Sequence, residues 1–204
     1  MSDMRRQIIE MAKRRAKPGT GSHVQALREQ KGEYGSVPVV PEFDGIDFAV
    51  IGGLATARYM PARMTLDTDV LVHADDLQQA EEQLKQSGCT KIGALTVGGS
   101  TWEMPGGRCL DLIALDGEWV DEALAQAERE DDELPYISLP YLVLMKLVAS
   151  RVQDLADISR MLGLADADVV DDVRTVVGKY SADDVDDLER LIELGKLEME
   201  ETNG

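Results

Sequence analysis

A short apolar run, Phe48 to Ile51, leads directly into Gly52-Gly53 and then into Leu54 to Tyr59, a segment with helix character. A strand that turns through two glycines into a helix constrains the chain more than any other feature. It requires a sheet with a helix laid against it. It also leaves bare backbone N–H groups at a helix N-terminus, where anions are favoured. A second apolar run, Val70-Leu-Val72, follows shortly after and is preceded by Asp67-Thr-Asp69. Residues two apart on a strand face the same way, so Asp67 and Asp69 are expected to project together. Two carboxylates held side by side repel unless a cation lies between them, and a hard divalent ion such as Mg²⁺ prefers such oxygens together with phosphates. A phosphate cradle beside metal carboxylates points to chemistry on a nucleoside triphosphate.

The remaining punctuation divides the chain into three blocks. Residues 1–41 read as a basic N-terminal arm and linker, with a helix over 2–16, a second short helix near His23–Gln30, and breaks at Pro18, Gly19, Gly21, Pro38 and Pro41. Residues 42–130 alternate strands and helices. A helix is expected over 77–86, N-capped from Ala74-Asp75-Asp76 and ended by Gly88. A hairpin is expected from 95–97 and 101–104, and a further strand at 109–115. Residues 131–204 read as helical: 141–162 with a break near 150–153, then two acidic helices around 168–177 and 183–200. The expected class is therefore α/β (α+β), a mixed sheet with helices mainly on one side, followed by a C-terminal helical subdomain.

The formal net charge of −18 is unevenly spread. Residues 1–31 carry eight Lys and Arg against three acids, and the rest of the chain is strongly acidic. Nucleic-acid binding needs a basic face, and only the arm offers one. No apolar run approaches the ~20 residues of a membrane span. No secretory leader is evident, and Cys89 and Cys109 lack metal-binding spacing, so the expected location is cytoplasmic.

Asp111 is the third carboxylate of interest. It sits among Leu110, Leu112 and Ile113, where an isolated charge is costly and ligation of a metal beside Asp67 and Asp69 would answer it. Three carboxylates around two divalent ions can activate an attacking oxygen and steady a leaving pyrophosphate, with Asp111 also serving as general base.

The segments Phe48 to Ala55, Arg63 to Asp69 and Leu110 to Ile113 resemble the nucleotidyltransferase superfamily of polymerase-β-like fold. They are most similar to its bacterial minimal and abortive-infection toxin–antitoxin members. The later run Tyr141 to Asp157 is similar to a Lys…Arg-x₂-Asp helix that follows the catalytic domain in those families. Over residues 45–162, the resemblance implies that Gly52 and Gly53 hold the triphosphate and that Asp67, Asp69 and Asp111 bind magnesium. It also implies that Lys146 and Arg151 face the phosphates, with Asp154 orienting one of them. Arg63 is a further candidate contact to nucleotide or acceptor. Leu54 stands where the family commonly has serine after the glycine pair.

Each residue also has a plainer reading. Gly-Gly can be a tight turn, Arg63 can balance Asp67, Lys146 can snorkel to solvent, and Arg151 can pair with Asp154 on a helix. The acceptor implied by the resemblance is a hydroxyl on a protein, such as a toxin or antitoxin partner, or on RNA reached through the arm; a small molecule is also open. The rival from another class is a non-catalytic binding module of the same fold. A phosphate enzyme of the P-loop kind is disfavoured by the absence of a Gly-x₄-Gly-Lys-Ser/Thr loop.

Overall fold

A computed structural model of the chain describes residues 3–16, 40–41, 43–61, 67–129 and 133–199. Two compact units emerge, one drawn from 34–55 and 62–138, the other from 1–33, 56–61 and 139–204. The strands are β1 (Phe48–Val50), β2 (Thr68–His73), β3 (Thr90–Ala94), β4 (Gly99–Glu103), β5 (Cys109–Leu115), β6 (Glu128–Arg129) and β7 (Pro135–Tyr136). Among the described residues the helices are α1 (Asp3–Arg15), α2 (Gly52–Tyr59), α3 (Leu77–Gln86), α4 (Glu118–Ala125), α5 (Leu139–Ala149), α6 (Val152–Leu164), α7 (Ala167–Tyr180) and α8 (Val185–Met199).

The first unit is a single seven-stranded sheet in the order β3-β4-β5-β2-β1-β7-β6. β2 runs parallel to β5 and β1 parallel to β7, while the other neighbours are antiparallel. The fold is thus mixed α/β, as the alternation of elements implies. β5 shows how the sequence sorts the two faces. Leu110, Leu112 and Ala114 are buried, and Cys109, Asp111, Ile113 and Leu115 are half-buried, the period-2 alternation of a strand. The buried set joins Val70, Val72, Trp102, Met104 and the Ala80 and Leu84 side of α3 in one core, closed by Phe43 and Ile46.

A polar chain ties α3 to the sheet at the edge of this core. Trp102 Nε1 donates to Ser100 Oγ at 2.8 Å, Ser100 Oγ donates to Glu81 Oε1 at 2.7 Å, and Lys91 Nζ donates to the same oxygen at 2.6 Å. Burial pushes the Glu81 carboxyl up, but the hydrogen bonds from Lys91 and Ser100 outweigh it and hold the group below its ordinary value. The buried Trp102 and Ser100 donors are therefore both satisfied.

The opposite face carries Asp69, Leu71 and His73 of β2 beside Asp111, Ile113 and Leu115 of β5. α4 contacts β1 and β2, and its Asp121 Oδ1 comes within 3.7 Å of His73 Nε2. Helices therefore lie on both faces of the sheet, where the sequence suggested mainly one. α4 is only eight residues long and buries just Val120 and Ala123, too short a stripe to announce itself by periodicity.

The hairpin is also displaced from the expected 95–97 with 101–104. Thr90–Ala94 is the strand that pairs with β4, and Leu95 to Gly98 form the turn. β3 is an edge strand with almost every residue exposed, so it has no apolar alternation to read. Gly99 has φ +100°, and a Cβ there would fall 1.9 Å from the Leu112 carbonyl oxygen; only glycine fits that approach of β4 to β5. Ahead of α3, residues 74–76 form a single tight 3₁₀ turn, and the cap is His73 Nδ1 accepting from the Asp75 N–H at 3.2 Å.

The second unit is helical. The expected break within 141–162 falls at Ser150, whose φ of +53° ends α5 before Arg151 starts α6. The two acidic helices are α7, a little longer than its expected span, and α8, which is shorter than expected because residues 182–184 form a 3₁₀ turn ahead of it. α1 belongs to this unit and is held by Arg5. The Arg5 guanidinium pairs with Asp184, donates from Nε to Asp187 Oδ2 at 2.7 Å, and reaches the Leu147 carbonyl at 2.8 Å and Ser150 Oγ at 2.7 Å. Ile9, one turn on from Arg5, is 1% exposed. The described part of the expected arm is therefore packed structure, while residues 17–39, including the short helix near His23, lie outside the described residues. The sheet unit also extends past residue 130 to Ser138, because β7 pairs with β1.

Candidate active site

Two of the three candidate carboxylates meet through strand register. Thr68 faces Leu110 and Asp69 faces Asp111 across the parallel pair β2–β5. Register partners on adjacent strands, about 4.8 Å apart, share a sheet face, so Asp69 and Asp111 stand side by side. Both are half-buried, on the face opposite the α3 core. Asp67 is exposed and lies one residue ahead of β2.

Gly52 joins this pair. It opens α2 with φ +61°, and a Cβ built on it would lie 1.8 Å from Asp69 Oδ2. The carboxylate thus rests against the glycine backbone at the start of a helix, where partial positive charge favours it. Glycine is required for two reasons at once, the left-handed backbone and the space for Asp69. Gly53 follows as the second residue of α2.

A further residue enters that the sequence did not single out. Thr101 faces Asp111 across the antiparallel pair β4–β5, and its Oγ1 donates to Asp111 Oδ1 at 2.6 Å. One row across the sheet therefore reads Thr101, Asp111, Asp69, ending where the Ile51 N–H donates to the Asp69 carbonyl at 2.9 Å just before Gly52. Only the register of three strands reveals this row. Thr101 was visible as a strand residue, but its partner was not.

The donor chemistry of the row suits a hard divalent cation, because every candidate ligand is an oxygen. Among the described residues no group of three or more His, Cys, Asp and Glu stands close enough to hold a metal ion. The assembled part is the pair Asp69–Asp111, with Asp67 two residues upstream. Arg63 lies outside the described residues.

The candidates from the helical unit form a cluster of their own. Lys146 is buried in α5, its side chain 7% exposed, and donates to Asp157 Oδ2 at 2.8 Å and Asp154 Oδ1 at 3.4 Å. Asp154 also accepts from Arg151, through the backbone N–H at 3.3 Å, Nε at 2.6 Å and an Nη at 3.2 Å. Asp154, at the third position of α6, therefore accepts from the N-cap backbone N–H of Arg151 in a capping box while joining two cations. Arg151 keeps its guanidinium largely in solvent, at 76% side-chain exposure.

No protein-family model matches the chain, and no curated protein matches it either. Among solved structures, it is similar to the solution structure of the antibiotic-resistance factor ANT(2'')-Ia. There the identity is 16% over 72% of this chain and 82% of that one, with a TM-score of 0.41. It is likewise similar to the crystal structure of ANT(2'')-Ia in complex with adenylyl-2''-tobramycin, at 13% identity over 72% of this chain and 87% of that one, with a TM-score of 0.42. No helix among the described residues is long and apolar enough to cross a membrane.

Proposed function

We propose that the chain is a nucleotidyltransferase that moves a nucleoside monophosphate from a nucleoside triphosphate to a hydroxyl. The observation that carries the reading is the register of Asp69 beside Asp111, against the glycine that opens α2. Asp69 and Asp111, with Asp67, would hold Mg²⁺, which when bound supplies charge neutralisation for the triphosphate. Asp111 accepts the proton of the acceptor hydroxyl. The hydroxyl oxygen then bonds to the α-phosphorus in line with the departing pyrophosphate, whose bond to that phosphorus breaks. On the sequence resemblance, Gly52 and Gly53 hold the triphosphate at the start of α2, where a helix N-terminus favours anions.

Lys146, Arg151 and Arg63 remain nucleotide-binding candidates on the sequence resemblance alone. Of the two described, Arg151 has the exposure such a role needs, whereas Lys146 is committed to two carboxylates. The strongly acidic chain suits a basic protein as acceptor, the arrangement of a toxin–antitoxin pair, better than RNA.

A second reading has specific support. Leu54 replaces the usual serine, and no three-carboxylate group is assembled among the described residues, both of which favour a binding module that keeps the fold without turnover. Incubation of the protein with each labelled nucleoside triphosphate and Mg²⁺, with candidate protein and RNA acceptors, separates the two. Label transferred by the wild type and lost in Asp69→Ala supports the enzyme. Absence of label from every acceptor and from the protein itself supports the binding module.

A further inference from the structure

We propose that Thr101 is a positioning residue for Asp111, holding one carboxylate oxygen so that the other is presented to cation and acceptor. The inference rests on the transferase reading and extends it to a residue outside the acidic motifs.

A carboxylate on a strand turns freely about its last side-chain bond unless something holds it, because that torsion is broad. At Asp111 the Thr101 hydroxyl does this, donating to Oδ1 at 2.6 Å, a short and therefore strong hydrogen bond to an ionised acceptor. Threonine is suited to the task. Its branched Cβ restricts χ1, and β4 fixes its backbone through the pairing of Thr101 with Asp111 and of Trp102 with Leu110. The neighbours of Thr101 on its own strand are anchored as well. Ser100 and Trp102 are fully buried in the polar chain to Glu81. The hydroxyl thus stands on a rigid base, and with Oδ1 engaged the remaining oxygen, Oδ2, is left to act. A hydroxyl constrains Asp111 without neutralising it, which a lysine or arginine would do.

Residues that orient a metal-binding carboxylate typically change metal affinity or activity by about 10–100-fold when removed. The test measures Mn²⁺ affinity by calorimetry, alongside kcat and KM for the triphosphate, in wild type, Thr101→Val, Thr101→Ser, Asp111→Ala and the Thr101→Val/Asp111→Ala double variant. Valine keeps the shape and loses the hydroxyl; Thr101→Ala serves the same purpose should valine unfold the sheet, as judged by thermal melting. Expected are Mn²⁺ binding weaker by about tenfold and a lower kcat at unchanged KM in Thr101→Val. Thr101→Ser restores both, and Thr101→Val adds nothing once Asp111 is alanine. Wild-type affinity and kcat in Thr101→Val would overturn the proposal, as would an equal loss in the Asp111→Ala background. A wild type that binds Mn²⁺ but transfers nothing rejects the transferase reading, and the metal affinities then decide the role of Thr101. A wild type that neither binds nor transfers rejects both.

Discussion

The two units of this protein place carboxylates in very different company. In the helical unit, Asp154 and Asp157 meet Lys146, and Asp184 and Asp187 meet Arg5, all buried and all answered by full positive charge. In the sheet unit, Asp111 is held by the neutral hydroxyl of Thr101, and Asp69 rests beside it on the backbone of Gly52. The contrast separates two uses of acidic residues. A buried ion pair costs desolvation that its Coulombic gain roughly offsets, and its strongest effect is to penalise removal of one partner. Asp69 and Asp111 are instead half-buried register partners on adjacent strands, where a ligand can still reach them. The helical clusters are therefore assigned to folding, and the row on the sheet carries the proposed chemistry.

Substitutions at the two sites should differ in kind. Asp111→Asn is expected to lower nucleotide transfer by about 10²–10⁴-fold without loss of thermal stability, because the amide oxygen can still accept from Thr101. Steady-state rates paired with melting curves check both halves, and a large stability loss would place Asp111 with the structural carboxylates. Lys146→Met is expected to reverse the pattern. It leaves Asp154 and Asp157 buried around an apolar side chain, a loss of about 3–5 kcal/mol readable by urea denaturation. Should Lys146→Met keep its stability and instead raise KM for the triphosphate, the lysine serves the nucleotide and the comparison fails.

Gly52→Ala probes the point where the sheet site meets its helix. Alanine must adopt φ +61° and displace the Asp69 carboxylate, so a destabilisation above about 1 kcal/mol is expected, together with weaker Mn²⁺ binding. Unchanged melting would mean that the two groups do not touch in solution. The smallest effect concerns the periphery of the helical unit. Arg174 Nε and an Nη clasp Glu189 at 2.6 and 2.8 Å, and these bonds hold the Glu189 carboxyl below its ordinary 4.5. Because the folded value is depressed, this stabilisation is complete above about pH 4.5 and is lost as pH falls through the folded value. Glu189→Gln should flatten that part of the acid limb by less than about 1 kcal/mol, the pair being partly exposed. An unaltered stability–pH profile would remove Glu189 from the ion pairs that matter.

Much of this was legible without coordinates, for local reasons. Val70 to Val72 reads as a strand by its apolar β-branched run and 109–115 as a further strand, Leu77 to Gln86 as a helix by the cap signal before it and Gly88 after it, and a break was expected near 150–153. β3 and α4 escaped notice because an exposed edge strand and an eight-residue helix bury too little to leave a pattern. The pairing of Arg151 with Asp154 was open to reading as an i, i+3 contact. That Asp154 also answers Lys146, and that Arg5 reaches Asp184 and Asp187 from the other end of the chain, was not.

The sequence by itself determined which segments form strands and helices and which carboxylates were worth attention, because periodicity and glycine placement act over a few residues. Only the tertiary structure decided which of those carboxylates stand together. Strand register between β2, β5 and β4, set by side-chain packing on the far face of the sheet, put Asp69, Asp111 and Thr101 in one row. Burial on the helical side gave Lys146 and Arg5 their partners, and no local rule of sequence encodes that kind of long-range pairing.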